Sequence, residues 1–544
     1  TSGEELDLSL LYEVSDRLLY ELSYIGDYNN LAKQFNIHVS VCYSNVNRTS
    51  RITVSKDICM FYRDRGLEAA KKALSFLHNE TVYKSLNNDA RIYLLRVARF
   101  YSALYDTFFY EYETNVKRYQ ALVDALELAE DKDIVNSVYD YDWTLHRVRC
   151  IEHMGQLTER GNRWGFTEGQ CEKICEWLEK LKAMRERDPA LISEIIPDAH
   201  YELLLLRNAY FAGRMATEEY RSSLYELYEK YSDTNYDMYS AQMNILLPLE
   251  YITTLRNEIP GPKQSNILRH LYDSVINYVL ASVNLDAFNF LQEYLIGFLD
   301  EFVEIPGVMT YLDMGLECMA ALHPPTYVHT LQVADIACCL AEHLAMKNPE
   351  FFYIKATDSE KTTHSKMAHI LHNLYNSALC HDFGKLAMID SIFIYGRELL
   401  DREYDIIHMH TLVGYEMLSR HLSTKECAPA ALEHHLWFDG SSGYPEGYSK
   451  IPSFYASIIA VADSIDAATD NIGRSYRPGK SLDDICSELK SESGTRYAPY
   501  VIDLLNDPSV LTDLSFLLTD GRKNHYKNTF LLLNGLLGRV GVSS

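Results

Sequence analysis

The first 305 residues are dominated by apolar positions that recur at the spacing of an α-helix. The first run contains Leu8, Leu11, Leu18, Leu19 and Leu22. Glycine and proline are sparse in this region, which favours helices joined by short connections. Longer amphipathic stretches follow at 88–130, 132–158, 167–187 and 191–231.

Strand signals are scarce, and the best short one is Ile37-His38-Val39-Ser40-Val41. Helix pairs of about 35–45 residues suggest a helical array that resembles tetratricopeptide-type solenoids, although no consensus repeat is present. Such an array would serve in sensing, dimerisation or docking of a protein partner. The sequence does not choose among these roles.

Proline and glycine interrupt the helical pattern at 260–262 and again at Pro306-Gly307. We place the domain boundary at the second break. The sequence therefore predicts an all-α protein, with a helical array over 1–305 and a second helical domain over 306–544.

The second domain is predicted to contain four helices that carry candidate site residues. Pro324 and Pro325 open the first, because proline is tolerated in the first turn of a helix. Three further helices are predicted at 363–380, 401–422 and 452–470.

Composition narrows the possible partners and the compartment. The 544 residues carry a net charge of −25, so a nucleic-acid duplex is not expected to bind. Eleven cysteines without a repeating spacing indicate free thiols in a reducing compartment, so a cytoplasmic location is predicted. We find no signal peptide and no run of eighteen apolar residues. Because the chain begins with Thr1, a preceding membrane segment is left open.

The most informative stretch is His381-Asp382-Phe383-Gly384-Lys385, which follows a small and apolar helix end. A buried carboxylate costs several kcal/mol unless a cation or hydrogen bonds compensate it. A divalent metal is the simplest such cation, since it binds imidazole nitrogen and carboxylate oxygen together. The pair alone is weak support for a metal site, because such dipeptides are common in proteins without one.

Four further motifs strengthen the case. His329 precedes the pair, and His410 lies downstream in His-Thr-Leu-Val-Gly. Next come adjacent histidines and an Asp-Gly-Ser-Ser-Gly-Tyr-Pro sequence at 439–445, and finally Asp463 within Val-Ala-Asp-Ser-Ile-Asp-Ala. This ordered set resembles the HD-GYP family of metal-dependent phosphodiesterases, a branch of the HD phosphohydrolases, over roughly the last 240 residues.

The resemblance implies the ligands of a binuclear metal site, with Asp382 bridging two divalent ions. A bridging water would become hydroxide near neutral pH and attack phosphorus in line. Iron or manganese is favoured, with zinc also compatible, because ligand type alone does not decide the metal. The implied ligands are His329, His381, Asp382, His410, His434, His435 and Asp463.

Some family members hold a third metal through a glutamate one turn before the first histidine. Here that position is Pro325, which cannot bind a metal, so two metals are predicted. His323 is the one nearby residue that could substitute.

The family motif also implies residues that face the substrate. Lys385 would stabilise negative charge on the phosphate, and Asp382 and Lys385 together are the predicted catalytic pair. Gly443, Tyr444 and Pro445 form a loop that contacts substrate or a partner in the family. Arg474 and Arg477 resemble an Arg-Pro-Tyr-Arg element that contacts substrate, with Ser475 in place of proline. An exposed lysine, an ordinary turn and a plain surface patch are the respective alternatives.

The sequence therefore predicts a hydrolase that cleaves a cyclic dinucleotide, with cyclic di-GMP favoured, to the linear dinucleotide or GMP. Two alternatives stay open. One is an HD hydrolase for another nucleotide such as cyclic GMP-AMP, and the other is a catalytically weak nucleotide-binding scaffold that signals through the helical array. Leu436 and Trp437 stand where the family has glutamate and arginine, which makes the substrate less secure than the metal site. Family analogy also points to a homodimer.

Overall fold

The computed structural model divides the chain into two compact units, Thr1–Met243 and Asn244–Ser544. Among the described residues the secondary structure is helical, with isolated β-bridges in place of strands. The predicted all-α fold is confirmed. The structure describes residues 8–49, 56–105, 112–232, 238–256, 258–281, 285–355, 357–388, 401–448, 450–471 and 479–539.

The first unit is a succession of helices around one apolar core. Polar caps define several of the helix starts, because a side-chain oxygen satisfies a free backbone N–H there. Asn87 accepts from the N–H of Ala90, and Thr167 and Gln170 form a reciprocal capping box. The α-helices of this unit are Leu8–Ile25, Tyr28–Thr49, Lys56–His78, Glu80–Ser85, Asn88–Tyr101, Tyr112–Glu130, Lys132–Ser137, Trp143–Gly155, Glu159–Asn162, Glu168–Arg187, Pro189–Ile195, Asp198–Phe211 and Thr217–Tyr231.

The strand suggested at 37–41 is wrong, because these residues lie inside the helix Tyr28–Thr49. Val39, Cys42 and Val46 are all buried, and their spacing of three and four residues is that of one helix face. Packing of that face outweighs the strand preference of the β-branched residues. The repeat pattern proposed for the array stays a prediction.

The division between the units at Met243 precedes the boundary that the sequence placed near 306. The physical reason is aromatic packing that ties residues before 306 to residues after it. The ring of Phe302 lies 4.8 Å from that of Tyr272 and 6.0 Å from that of Tyr311, and the Tyr272 hydroxyl donates to the carbonyl of Val303. The division falls inside the helix Met238–Thr253.

In the second unit four named helices position the site: the His329 helix (Pro324–Lys347), the HD helix (Glu360–Cys380), the His410 helix (His410–Ser419) and the Asp463 helix (Phe454–Thr469). The predicted segment 401–422 is two helices, the first of them Asp401–His408. The remaining α-helices are Pro262–Ala281, Leu285–Asp300, Tyr311–Leu322, Ala428–Glu433, Leu482–Ser491, Pro499–Ile502, Pro508–Phe516 and Arg522–Arg539.

The core of this unit lies between the His329, HD and Asp463 helices. Burial of their apolar faces fixes the three helices together, and the polar site residues project at one end of this core. No described helix is both long enough and apolar enough to cross a bilayer. Core side chains include Val333, Ala337, Leu340, Leu374, Ala378, Ile458, Ala462 and Ile465.

Candidate metal centre

His329 lies in the second turn of its helix, and both nitrogens of its ring contact carboxylates. Its Nε2 is 3.1 Å from Oδ1 of Asp463 and 3.6 Å from Oδ2 of Asp382. Its Nδ1 is 2.7 Å from Oδ2 of Asp466. The Asp466 contact holds the ring with Nε2 directed at the other two carboxylates.

His381 and Asp382 follow the HD helix directly and are almost completely buried. The Nδ1–H of His381 donates to the carbonyl of Ala378 at 2.7 Å. This tautomer leaves Nε2 unprotonated, with a lone pair that can bind a cation. That Nε2 is 3.4 Å from Oδ2 of Asp382. The helix end therefore supplies one imidazole nitrogen and one carboxylate to the same point.

His410 approaches the other oxygen of Asp382, and His434 lies beside His410. The Nε2 of His410 is 3.2 Å from Oδ1 of Asp382 and 3.3 Å from Nε2 of His434. Each ring is oriented through Nδ1, which donates to a backbone carbonyl, Ile407 for His410 and Ala431 for His434. Both Nε2 atoms are therefore available as ligands.

His435 completes the group at the edge of the site and is partly exposed. Its Nδ1 is 4.0 Å from Oδ2 of Asp463, and its ring lies 4.3 Å from that of Tyr444. Tyr444 also stacks on His408 at 4.0 Å, so the Gly-Tyr-Pro loop packs against the metal-ligand candidates.

Gly443 explains why this loop requires glycine. It has a φ of +101°, and a Cβ there would fall 2.3 Å from the carbonyl oxygen of His435. The loop is closed by an N–H of Trp437 that donates to the carbonyl of Ser442 at 3.0 Å. Pro445 continues it, and its carbonyl accepts from the N–H of Tyr448 at 3.3 Å.

The converging side chains form three overlapping groups whose ligand atoms lie within 4.8 Å of one another. They suit a divalent cation, since imidazole nitrogen and carboxylate oxygen are common ligands of zinc, iron and manganese. Two buried atoms support this fit: among the described residues, Nε2 of His381 and Oδ1 of Asp382 have no hydrogen-bond partner. The groups are His410, His434 and His435; His329, His381 and Asp463; and His381, Asp382 and His434.

Burial keeps two of the histidines neutral, the state that metal ligation requires. It lowers the pKa of His410 to about 4 and that of His434 to about 3. His329 differs. Burial alone would lower its pKa, but hydrogen bonds to Asp463 and Asp466 outweigh burial and raise the pKa to about 9.

The two candidate ligand carboxylates are ionised despite their burial. Burial would raise the pKa of Asp382, but the ammonium of Lys385 and the adjacent ring of His381 hold that pKa well below its usual range. The ammonium of Lys385 is 2.5 Å from Oδ2 of Asp382 and its side chain is only 22% exposed, so it is not an ordinary surface lysine. Burial would likewise raise the pKa of Asp463, but a hydrogen bond to His329 and the neighbouring histidines keep that pKa low.

The remaining predicted residues divide into two sets. Arg474 and Arg477 lie outside the described residues. His323 caps the start of the His329 helix: its Nδ1 accepts from the N–H of Thr326 at 3.2 Å and is 2.7 Å from the hydroxyl of Thr326. Pro325 lies in the first turn of that helix.

Sequence reasoning left two buried carboxylates at the site without a role. Asp466 contacts His329 as described above, and its position three residues after Asp463 was the available signal. Glu433 accepts from the ammonium of Lys450 at 2.7 Å and from the N–H of Ser453 at 2.8 Å. It thereby connects the residue before the histidine pair to the start of the Asp463 helix.

Fold and site together define a helical domain built around a buried histidine–aspartate cluster. Residues 317–501 match the family model of the HD domain, so this part of the chain is an HD domain, a metal-dependent helical fold. The predicted resemblance of the C-terminal region to HD-type phosphodiesterases is confirmed.

Curated relatives carry related names. A cyclic di-GMP phosphodiesterase of Thermotoga maritima is 30% identical over 263 residues, which are 47% of this chain and 61% of that protein. The cyclic di-GMP phosphodiesterase response regulator RpfG of Xanthomonas campestris is 35% identical over 24% of this chain and 34% of its own. A 3'3'-cGAMP-specific phosphodiesterase 2 of Vibrio cholerae is 34% identical over 24% of this chain and 25% of its own. The chain thus spans from a quarter to about three fifths of the length of these relatives.

Proposed function

We propose that this protein is a metal-dependent phosphodiesterase that hydrolyses a cyclic dinucleotide, with cyclic di-GMP as the preferred substrate. The proposal has three supports: the HD domain, the names of the relatives and the arrangement of the site. The whole chain would couple this activity to the helical unit that precedes it.

One observation carries the proposal. The two oxygens of Asp382 face two different sets of imidazoles: Oδ2 is near His329 and His381, and Oδ1 is near His410. A carboxylate in this position can bind one cation with each oxygen. Two adjacent cations are the usual arrangement in enzymes that cleave phosphodiesters.

We assign one cation to each side of Asp382. His329, His381 and Asp463 would hold the first, and His410, His434 and His435 would hold the second. Iron or manganese is the favoured metal, because imidazole-rich sites with few carboxylates suit both. When bound, the ions would supply Lewis acidity toward the phosphoryl oxygens and lower the pKa of water.

The protein's own side chains would orient and stabilise the substrate. The ammonium of Lys385, which now contacts Asp382, can donate to a phosphoryl oxygen at the same edge of the site. Asp382 would hold the two sets of ligands at a fixed distance from each other, since its side chain contacts both. The ring of Tyr444 contacts both His408 and His435, which would hold the Gly-Tyr-Pro loop beside the site for contact with the substrate.

The substrate's two bases would be recognised by the loop of Gly443, Tyr444 and Pro445 and by Arg474 and Arg477. Arginine suits bidentate contacts with phosphate or with a guanine edge, which favours a guanine-containing cyclic dinucleotide. One relative is named for cyclic di-GMP and another for 3'3'-cGAMP, and these two nucleotides differ in one base. The experiment must therefore test which second base the site accepts.

We further propose a sensing or docking role for the helical unit and assembly as a homodimer. A protein partner of that unit would regulate hydrolysis. All eleven cysteines are free thiols, which supports a cytoplasmic location.

The test is a substrate panel on the purified full chain. The protein is loaded anaerobically with Fe²⁺ or with Mn²⁺ and incubated with cyclic di-GMP, 3'3'-cGAMP and cyclic di-AMP, and products are separated by chromatography. Preferred turnover of cyclic di-GMP supports the proposal. Turnover of 3'3'-cGAMP alone assigns the other nucleotide, and binding without turnover under both metals overturns the enzymatic function.

A further inference from the structure

A buried chain of polar contacts leads from His329 to the C-terminal helix (Arg522–Arg539). Asp466 accepts from Nδ1 of His329 through Oδ2 at 2.7 Å and from Nη2 of Arg522 through Oδ1 at 2.5 Å. Asp466 is 1% exposed and Arg522 is 6% exposed. The two oxygens of one carboxylate therefore join a metal-ligand candidate to an arginine 193 positions further along the chain.

Arg522 is fixed by more than this ion pair. Its Nη1 donates to the carbonyl of Thr469 at 3.0 Å, and its Nη2 also donates to the hydroxyl of Thr469 at 2.9 Å. Thr469 lies one turn after Asp466 on the Asp463 helix. The planar guanidinium reaches the three acceptors from two nitrogens, whereas a lysine ammonium would have to reach all three from one.

The backbone directly before Arg522 has an unusual form. Residues Leu517–Gly521 form a π-helical turn, a feature frequent at functional sites. Its first carbonyl, that of Leu517, accepts from Nε2 of Gln332 at 2.8 Å. Gln332 lies one turn after His329, so the same helix that carries the ligand candidate also holds the turn that places Arg522.

A second contact joins the C-terminal helix to the His329 helix beyond Arg522. Nε2 of His525 is 2.8 Å from Oδ2 of Asp335. Gln332 and Asp335 are three residues apart, and they contact the C-terminal segment on either side of Arg522. The C-terminal segment, from Leu517 to the end of the C-terminal helix, therefore packs along the part of the His329 helix that follows His329.

We propose that Arg522, acting through Asp466, is a positioning residue that orients His329 and preserves its half of the metal site. The inference rests on the proposed metal-dependent function and deepens it. Arg522 lies outside residues 317–501, the part that matches the HD domain. The C-terminal segment is therefore part of the working site and not a passive extension.

The physical reason lies in charge compensation. Asp466 is buried, and a buried carboxylate needs a cation and hydrogen bonds to stay ionised. Without Arg522, Oδ1 of Asp466 would lose its cationic donor, and the carboxylate would be free to rotate away from the orientation that holds His329. The ring of His329 would then be free to rotate, and its Nε2 would no longer point at Asp382 and Asp463. Outer-shell partners of this kind typically change metal affinity by about 10–100-fold.

The experiment compares metal binding by the full chain and by Arg522→Ala, Arg522→Lys and Asp466→Asn. Apo protein is titrated with Mn²⁺, bound metal is counted by mass spectrometry, and Co²⁺ absorption reports the ligand environment. Lys523→Ala is the matched control, because Lys523 is an exposed cation on the same helix whose contact is a surface ion pair with Asp520.

We expect wild type and Lys523→Ala to bind two Mn²⁺ per chain. Arg522→Ala should bind the ion on the His329 side about 10–100-fold more weakly and keep the ion on the His410 side. The Mn²⁺ affinity of Arg522→Lys should lie between those of wild type and Arg522→Ala. Added guanidinium should restore part of the affinity that Arg522→Ala loses. A structural role alone would lower thermal stability without this selective loss of one ion and without rescue.

Three results would overturn the inference. One is wild-type stoichiometry and affinity in a folded Arg522→Ala protein. Another is equal loss of both ions in Arg522→Ala and Arg522→Lys with no response to guanidinium. If Arg522→Ala does not fold, Asp466→Asn and Arg522→Lys decide, and unchanged metal binding in both overturns it. Failure of wild type itself to bind metal would instead reject the proposed function.

Discussion

Gly384 lies in direct backbone contact with His410. A Cβ on Gly384 would fall 2.0 Å from the carbonyl oxygen of His410 and 2.6 Å from the backbone nitrogen of Gly414. Two motifs, the His-Asp-Phe-Gly-Lys turn and the His-Thr-Leu-Val-Gly helix start, are therefore packed backbone to backbone. This close approach is what brings His410 to Oδ1 of Asp382.

Gly384→Ala is expected to separate the two motifs, because backbone atoms cannot yield to a methyl group as a flexible side chain can. The free energy of unfolding should fall by about 1–3 kcal/mol, the range for overpacking. The second metal, on the His410 side, should bind more weakly. Chemical denaturation and Mn²⁺ titration measure the two effects. Gly535→Ala is the control, since a Cβ there meets no atom within 4 Å; equal behaviour of the two variants would contradict the prediction.

Asp382→Asn tests whether one carboxylate serves both halves of the site. Asparagine keeps the shape but removes the charge, so both ions should be lost and hydrolysis should fall by more than about 100-fold, the upper end for outer-shell changes. Treatment with a chelator should reproduce this loss in wild type, and added Mn²⁺ should reverse it only there. Asp483→Asn, at an exposed carboxylate in the first turn of the helix Leu482–Ser491, is the control. Retention of one tightly bound ion by Asp382→Asn would show that the carboxylate serves a single site.

Lys385→Met should separate chemistry from metal binding. The ammonium contacts Asp382 and is proposed to donate to the substrate phosphate, so its loss should lower kcat by about 10²–10³-fold, as for other charge-stabilising donors. Metal content should stay at the wild-type value, because no lysine is needed to hold the ions. Steady-state kinetics and metal analysis on the same preparation give both quantities. Lys425→Met, at an exposed lysine of the same unit, should change neither; unaltered kcat in Lys385→Met would remove its catalytic role.

Most of the side chains that lie together at the candidate site could be named from the sequence, because they belong to short motifs. His381 and Asp382 can be recognised from the motif that they form with Gly384 and Lys385, without knowledge of the fold. Arg522 could not be found this way, since it meets Asp466 only through packing between segments 56 residues apart. Such contacts depend on the tertiary structure and leave no local pattern.

The fold was predictable to the same extent. Helical periodicity gave the all-α class and the helices that carry the ligands. Local preference failed at 37–41, where burial of one helix face decided the conformation. The predicted domain boundary at 306 differs from the division between the compact units. Proline and glycine at 306–307 are a local signal, whereas the compact unit also depends on distant aromatic contacts such as that of Tyr272 with Phe302.

His146 gives a prediction about pH that is independent of the metal site. It is fully buried in the first unit, where its Nε2–H donates to the carbonyl of Ala125 at 2.8 Å and its Nδ1 accepts from the hydroxyl of Tyr141 at 2.8 Å. Burial lowers its pKa from 6.5 to about 4. Between pH 6.5 and 4, His146 is therefore protonated in the unfolded chain but stays neutral in the folded chain.

The free energy of unfolding of wild type should consequently fall as the pH drops from about 6.5 to 4, and this group should add no further loss below pH 4. The contribution is on the order of 3 kcal/mol. His146→Gln should be less stable at pH 7 by about 1–2 kcal/mol, since one buried hydrogen bond is weakened, but its stability should depend less on pH across this window. Denaturant unfolding of the metal-free protein, followed by the fluorescence of the adjacent Trp143, measures both effects. His78→Gln, at an exposed histidine, should keep the wild-type pH dependence. Parallel pH profiles for wild type and His146→Gln would show that His146 is not the group whose protonation destabilises the fold.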